Sequence, residues 1–193
     1  MFDRKMRMNA LNFKPMPEHE RGTILRLLQE SYKGLPQIDE SLIREWENDW
    51  KRFDDNIFDR PDTIGTSGFI TYQGESIIGF ASWDPRQHPT AIIGHNCILP
   101  AFRRNGHGKQ QIEEMLRRLG ASGFSKARVT TGDHPGFIAA QKTYLASGLR
   151  EIRRFSDKTD TSWRMVEFEK ELSNQRLQFT FARGGQNETE AQC

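Results

Sequence analysis

Arg103, Arg104, Gly106, Gly108 and Lys109 fall within one short stretch, "CILPAFRRNGHGKQQIEEML", from Cys97 to Leu116. Two guanidinium groups and an ammonium beside two glycines are the parts of an anion site. A helix N-terminus leaves backbone N–H groups without helical partners and carries partial positive charge. Glycine lets a ligand approach the backbone and accepts a positive φ. "RRNGHG" leading into the amphipathic "KQQIEEML" therefore has the form of a phosphate cradle. Arg103, Arg104 and Lys109 add charge where several phosphates are to be held.

The commoner phosphate motifs do not fit. A Walker loop needs glycine five residues before its Gly-Lys pair and Ser or Thr after it, but Arg103 and Gln110 stand there. A dinucleotide fingerprint needs a third glycine where Gln111 stands. A plain strand-to-helix turn, with glycine for geometry and arginine for solubility, explains the stretch equally well when it is read alone.

Other chemistries are narrowed by what the chain lacks. It has 193 residues, enough for one domain with a sizeable core, and a net charge of +2. A dedicated nucleic-acid binder calls for a stronger basic bias. Cys97 and Cys193 are the only cysteines, so neither a disulfide framework nor a cysteine zinc site is expected, and a reducing cytoplasm is the default. The five histidines show no metal-ligand spacing, so no metal is expected. Cys97 lacks an evident His and acid partner and reads as a small buried residue. The N-terminus has no apolar core of signal-peptide length. Apolar runs such as "IIGFA" fall far short of the roughly 20 residues a membrane helix needs, so no membrane association is expected.

These residues need elements to position them. Residues 10–16 read as a first strand, and "PEHERGTILRLLQESY" as a helix with Ile24, Leu27, Leu28 and Tyr32 on one face. Asp39 is placed to cap "ESLIREWENDWKRF", whose stripe is Leu42, Ile43, Trp46, Trp50 and Phe53. "GFITYQGESIIGFASW" reads as two strands around Gln73–Gly74–Glu75, and "TAIIGHNCIL" as a third. The helix after the glycines is expected to end at Gly120. "KARVTT" is a strand, and "GDHPGFIAAQKTYLASG" a helix with Asp133 as N-cap and Gly148 as its stop. "LREIRRF" and "WRMVEFEKEL" close the domain, and residues 173–193 are expected to be a flexible tail, with "LQFTF" as an added edge strand. The order is strand, two helices, three strands, helix, strand, helix, two strands, which makes a mixed α/β domain over residues 10–172.

Two segments in this order resemble the GNAT superfamily of acyl-CoA-dependent N-acyltransferases. "ILPAFRRNGHG" is similar to that family's strand, proline and [QR]xxGx[GA], with Arg103, Gly106 and Gly108 in the defining places. "AQKTYLASGL" is similar to AxxLYxxxGF through Ala140, Tyr144 and Gly148, with Leu149 where phenylalanine is usual. Phe137 stands where the family often has an asparagine that contacts the cofactor. The resemblance implies a GNAT fold, a mixed sheet of about six or seven strands flanked by about four helices, with a V-shaped opening between two strands. It implies acetyl-CoA as donor and a primary amine of a small molecule or peptide as acceptor, with direct attack in a ternary complex.

The resemblance also assigns roles. The pyrophosphate falls to the backbone of Arg104, Asn105, Gly106, His107, Gly108 and Lys109, with Arg103 nearby. The strand around Ile98 and Leu99 pairs with the pantetheine, and an N–H there becomes the oxyanion donor. Tyr144 becomes the acid that protonates the departing thiolate, its phenol being protonated at neutral pH. His95 is the leading base candidate, because an imidazole titrates near neutrality. His95 shares a strand face with Cys97 and Leu99, whereas Asn96 shares one with Ile98. His134, His88, Asp84, Glu45 and a water chain are the other base candidates, and Trp46, Glu45 and Asp49 are candidates for the acceptor wall. A homodimer through sheet edges is open. So are two other classes: a non-catalytic CoA-binding domain, and a loop that binds nucleic-acid phosphate, against which the low net charge argues.

Overall fold

The computed structural model describes residues 10–33, 40–156 and 164–173. The elements are β1 (Leu11–Pro15), α1 (Thr23–Tyr32), α2 (Glu40–Asp59), β2 (Gly68–Gln73), β3 (Ser76–Asp84) and β4 (Thr90–Ile98). They continue with α3 (His107–Ala121), β5 (Lys126–Gly132), α4 (Ile138–Ala146), β6 (Arg150–Ser156) and β7 (Arg164–Glu171). The expected order of elements is found. The strands form one seven-stranded sheet in the order β1-β2-β3-β4-β5-β7-β6, and only β4 and β5 run parallel. Among the described residues no helix is long and apolar enough to cross a membrane.

Alternating side chains give the sheet two buried faces. Ile112, Met115, Leu116 and Leu119 of α3 cover one face, over Phe69, Ala81, Ile93, Ala127, Val129 and Phe168. Ile24, Leu27 and Leu28 of α1, with Trp50 and Ile57 of α2, cover the other, over Ile70, Phe80 and Cys97. The helical spacing of these residues, read in the sequence, is what lays each helix on its face.

Several boundaries move for local reasons. The helix expected from Pro17 begins at Thr23, because Met16–Glu18 form a 3₁₀ turn and Gly22 takes φ 89°. Its free amides are capped from another helix: buried Asp54 of α2 accepts from the N–H groups of Gly22 at 2.6 Å, Ile24 at 3.0 Å and Leu25 at 3.2 Å. Helix α3 runs past Gly120 to Ala121, and Gly123 takes the left-handed φ of 90° beyond it. Asp133 does not cap. Its carboxylate pairs with Arg154 and Arg164, while the His134 ring accepts from the Gly136 N–H. Gly148 does follow α4, at φ 82°. The cap expected at Asp39 and the edge strand expected at "LQFTF" lie outside the described residues.

One irregularity shapes the rest. Ala81 of β3 pairs with Asn96, and Trp83 pairs with Ile93. Ser82 alone therefore opposes both Gly94 and His95, which is a β-bulge in β4. Side-chain parity flips across it. Ala91 and Ile93 belong to the α3 face, while Cys97 belongs to the α1–α2 face. The parallel ladder between β4 and β5 extends only over Thr90–Lys126, Ala91–Ala127 and Ile92–Arg128, ending as the bulge begins.

Asp54→Ala should leave three amides at the start of α1 unpaired. We expect a loss of about 3 kcal/mol and a fall of roughly 10 °C in the thermal midpoint, read by calorimetry. Asp54→Asn, which keeps one acceptor oxygen, should lose less.

Candidate active site

Beyond Ile92 the two parallel strands part, and a cleft of roughly 640 Å³ opens there. It is lined by the end of β4, the N-terminus of α3, α4 and the last turn of α1. Of the residues singled out from sequence, Ile98, Arg103, Arg104, Gly106, Gly108, Lys109 and Tyr144 line it. Leu99, Asn105, His107 and His95 are not among the lining residues.

The cradle has the geometry its glycines promise. Arg104 at φ 65° and Gly106 at φ 79° are both left-handed, and Gly106 is the N-cap of α3. Turns of this hand curl backbone amides toward a common point, where an anion sits well. A Cβ on Gly108 would touch Thr143 at 3.5 Å and Ile98 at 3.9 Å, so β4, α3 and α4 meet there with no room for a larger side chain. Arg104 and Lys109 are exposed at this end of the cleft. Arg103 also has a structural task. Its Nε donates to the Ile98 carbonyl at 2.9 Å, and its Nη2 donates to the Ser31 carbonyl at 2.7 Å. It ties the loop to β4 and to the end of α1. His107 is buried, with no partner for Nδ1 among the described residues.

Strand β4 turns the backbone groups of alternate residues, Asn96 and Ile98, toward the cleft. The Leu99 N–H donates to the Ile78 carbonyl at 2.7 Å, so it is engaged with β3. In an antiparallel ladder the next residue back turns its N–H and C=O the other way. Ile98 therefore faces the side that β5 has left, and the Arg103 bond to its carbonyl agrees. Of the two amides considered as oxyanion donors, Ile98 is the one available.

Tyr144 of α4 is buried, 4% exposed, with its ring 5.8 Å from that of Phe168. The Asn96 Nδ2 donates to the Gly94 carbonyl at 3.0 Å and to the Tyr144 hydroxyl at 3.2 Å. The carbonyl fixes which end of the Asn96 amide is nitrogen. Tyr144 oxygen is thus the acceptor, and its own hydrogen is left to donate elsewhere. Burial raises the phenol's pKa, against a smaller lowering by the Asn96 bond, so Tyr144 stays protonated at neutral pH. Gln111 of α3 is buried beneath, accepting from the Thr71 hydroxyl at 2.6 Å and donating to the Cys97 carbonyl at 3.3 Å. Burial pushes the Cys97 thiol up to about 11, which keeps it a thiol and removes it as a nucleophile.

His95 is the second residue of the bulge, its ring 5.2 Å from that of Phe53 on the α1–α2 face. Burial lowers its pKa from 6.5, and Asp49 raises it by less, so the imidazole is neutral at pH 7. Tyr32, read in sequence only as part of an apolar stripe, also lines the cleft. Burial raises its phenol pKa too. Asn96 was placed on the correct face by alternation but given no role. Among the described residues, no cluster of three or more His, Cys, Asp or Glu is placed to hold a metal.

Comparison with known proteins fits this geometry. Residues 25–148 match the acetyltransferase (GNAT) family, and the chain belongs to it. A mycothiol acetyltransferase from Streptosporangium roseum is 32% identical over 84 residues, covering 44% of this chain and 23% of that protein. The chain thus spans about a quarter of the length of that relative. Similar folds include a PaiA N-acetyltransferase from Thermoplasma acidophilum in complex with coenzyme A, with TM-score 0.63, 13% identity, and 84% of this chain and 99% of that one covered. A microcin self-immunity acetyltransferase in complex with acetyl-CoA and AMP gives TM-score 0.61 at 14% identity, covering 84% and 92%.

Arg103→Ala should destabilise the protein without any ligand, by about 1 kcal/mol, because two carbonyls lose their donor. An arginine that only met phosphate would leave the thermal midpoint of the free protein unchanged.

Proposed function

We propose that this protein transfers an acetyl group from acetyl-CoA to a primary amine by direct attack, within a ternary complex. The observation that carries the proposal is one cleft lined by Ile98, whose N–H faces away from β3, by Tyr144, which accepts from Asn96, and by the glycines of the cradle. Acetyl-CoA supplies the activated acyl thioester. The backbone from Arg104 to Lys109 and the dipole of α3 hold its pyrophosphate. The free edge of β4 pairs with its amide arm, as an edge strand pairs with a peptide. Ile98 N–H donates to the thioester carbonyl and gains strength as that oxygen becomes negative.

The amine nitrogen forms a bond to the carbonyl carbon while the carbon–sulfur bond breaks. Tyr144 donates its phenolic hydrogen to the leaving sulfur and recovers a proton from solvent. The attacking nitrogen must shed its proton. His95, held neutral by burial and outside the lining of the cleft, is the group we assign to take it, through a water chain. An unpaired buried thiol at Cys97 suits a reducing compartment, so the proposal is of a cytoplasmic enzyme.

Titration calorimetry with acetyl-CoA should show binding by the wild type and none by Gly106→Trp, whose side chain fills the cradle. Tyr144→Phe should bind acetyl-CoA and lose about a hundredfold or more in kcat, measured by thiol release. Binding without turnover of any amine would leave a CoA-binding domain only. No binding at millimolar ligand by folded protein would overturn the proposal.

A base with a lowered pKa is active above that pKa and lost as pH falls through it. Wild-type kcat/KM should therefore fall on acidification with a midpoint below 6.5. His95→Gln should remove this limb from the profile. An unchanged profile would take the role from His95.

A further inference from the structure

The cleft is walled in part by aromatic rings. Tyr32, the last residue of α1, and Phe137, just before α4, both line it, with ring centroids 6.2 Å apart. Trp46 of α2 meets both, at 5.8 Å from Tyr32 and 6.3 Å from Phe137. Trp50 backs the group, 4.9 Å from Tyr32 and 6.4 Å from Trp46. Two rings, Tyr32 and Phe137, thus meet in the cleft wall, with Trp46 and Trp50 packed behind them. Phe137 takes part because it is not the asparagine expected at its place.

The charges lining the cleft point the same way. They are Arg103, Arg104, Lys109 and Lys142, and no Asp or Glu is among the described residues that line it. Glu45 and Asp49 on α2 are exposed, and Asp49 is paired with Arg52. An acceptor with several ammonium groups needs carboxylates to replace the water it loses, and the described residues lining this cleft offer none. Aromatic faces instead favour a flat or apolar body, and tolerate a single ammonium through the ring quadrupole.

We infer that the acceptor is a small monoamine with an aromatic body, and that Trp46 and Phe137 set this specificity. The inference deepens the acetyltransferase reading and rests on it. The rings of Tyr32 and Phe137 hold the body of the amine against the cleft wall. The nitrogen is then left pointing along the cleft toward Ile98 and Tyr144.

The test compares phenylethylamine, ethanolamine and putrescine as acceptors at saturating acetyl-CoA, by thiol release. Phenylethylamine should exceed the other two in kcat/KM by about tenfold or more. Trp46→Ala and Phe137→Ala should erase most of that ratio through KM for phenylethylamine, and Trp46→Phe should restore it. Tryptophan fluorescence read during a phenylethylamine titration gives binding without turnover. Calorimetry with acetyl-CoA reports the cradle separately. Turnover of putrescine or ethanolamine as readily as phenylethylamine overturns the aromatic acceptor and keeps the transferase. Saturable quenching by phenylethylamine that Trp46→Phe retains and Phe137→Ala loses, without acetyl-CoA binding, supports the aromatic wall and overturns the transferase. Absence of both quenching and preference overturns the inference.

Discussion

Two residues, Gly94 and His95, occupy the space on β4 that one residue, Ser82, occupies on β3. That extra residue bends β4 and increases its twist, so that its second half cannot follow β5. A parallel ladder that ran the full length of both strands would leave no opening at the centre of the sheet. The bulge is held in place by local contacts. The Ser82 hydroxyl donates to the His95 carbonyl at 2.8 Å, and a Cβ on Gly94 would come within 2.9 Å of that hydroxyl. Asn96 spans the same turn, from the Gly94 carbonyl to Tyr144. The device that opens the cleft therefore also orients its phenol.

Opening a sheet exposes backbone groups that must be satisfied. The side chains around β4 answer this one by one. Arg103 takes the Ile98 carbonyl, Gln111 reaches the Cys97 carbonyl, and the Leu99 amide returns to β3. The Ile98 amide faces away from β3, on the side that β5 has left. An available amide in a largely buried setting is costly for a folded protein and useful for binding a carbonyl, since a ligand that accepts from it replaces no internal bond.

How much of this was legible in the sequence depended on whether each signal was local. The cradle was legible because its parts are adjacent: Arg104, Gly106 and α3 follow one another in the chain. The order of strands and helices was legible because period and turn residues are local too. The bulge was not, since two residues opposing one is a property of the pairing with Ser82, not of "GHN" itself. Arg103 was assigned to phosphate because its charge is visible, while the two carbonyls it reaches, at Ile98 and Ser31, are visible only in the fold. Asp54 looked like one more acid on a charged helix, although it caps α1 from 32 residues downstream of Gly22. The aromatic group was legible only in part: Trp46 was a candidate for the acceptor wall and Phe137 stood out from the family pattern, whereas Tyr32 and Trp50 each fit the core stripe of their own helix.

A net charge of +2 says little about a surface, yet within the cleft charge is strongly sorted. The charged side chains among the described residues that line it are Arg103, Arg104, Lys109 and Lys142, all cations, beside the uncharged rings of Tyr32 and Phe137. An anionic, extended ligand meets a potential that favours only one of its two orientations, with phosphates at α3 and the uncharged end toward Tyr144. Burial works in opposite senses at two other groups. Low polarity around Tyr144 and His95 raises the one pKa and lowers the other. The same exclusion of water thus keeps an acid protonated and a base unprotonated at a single pH. That pairing of states is what an amine and a departing thiolate require together.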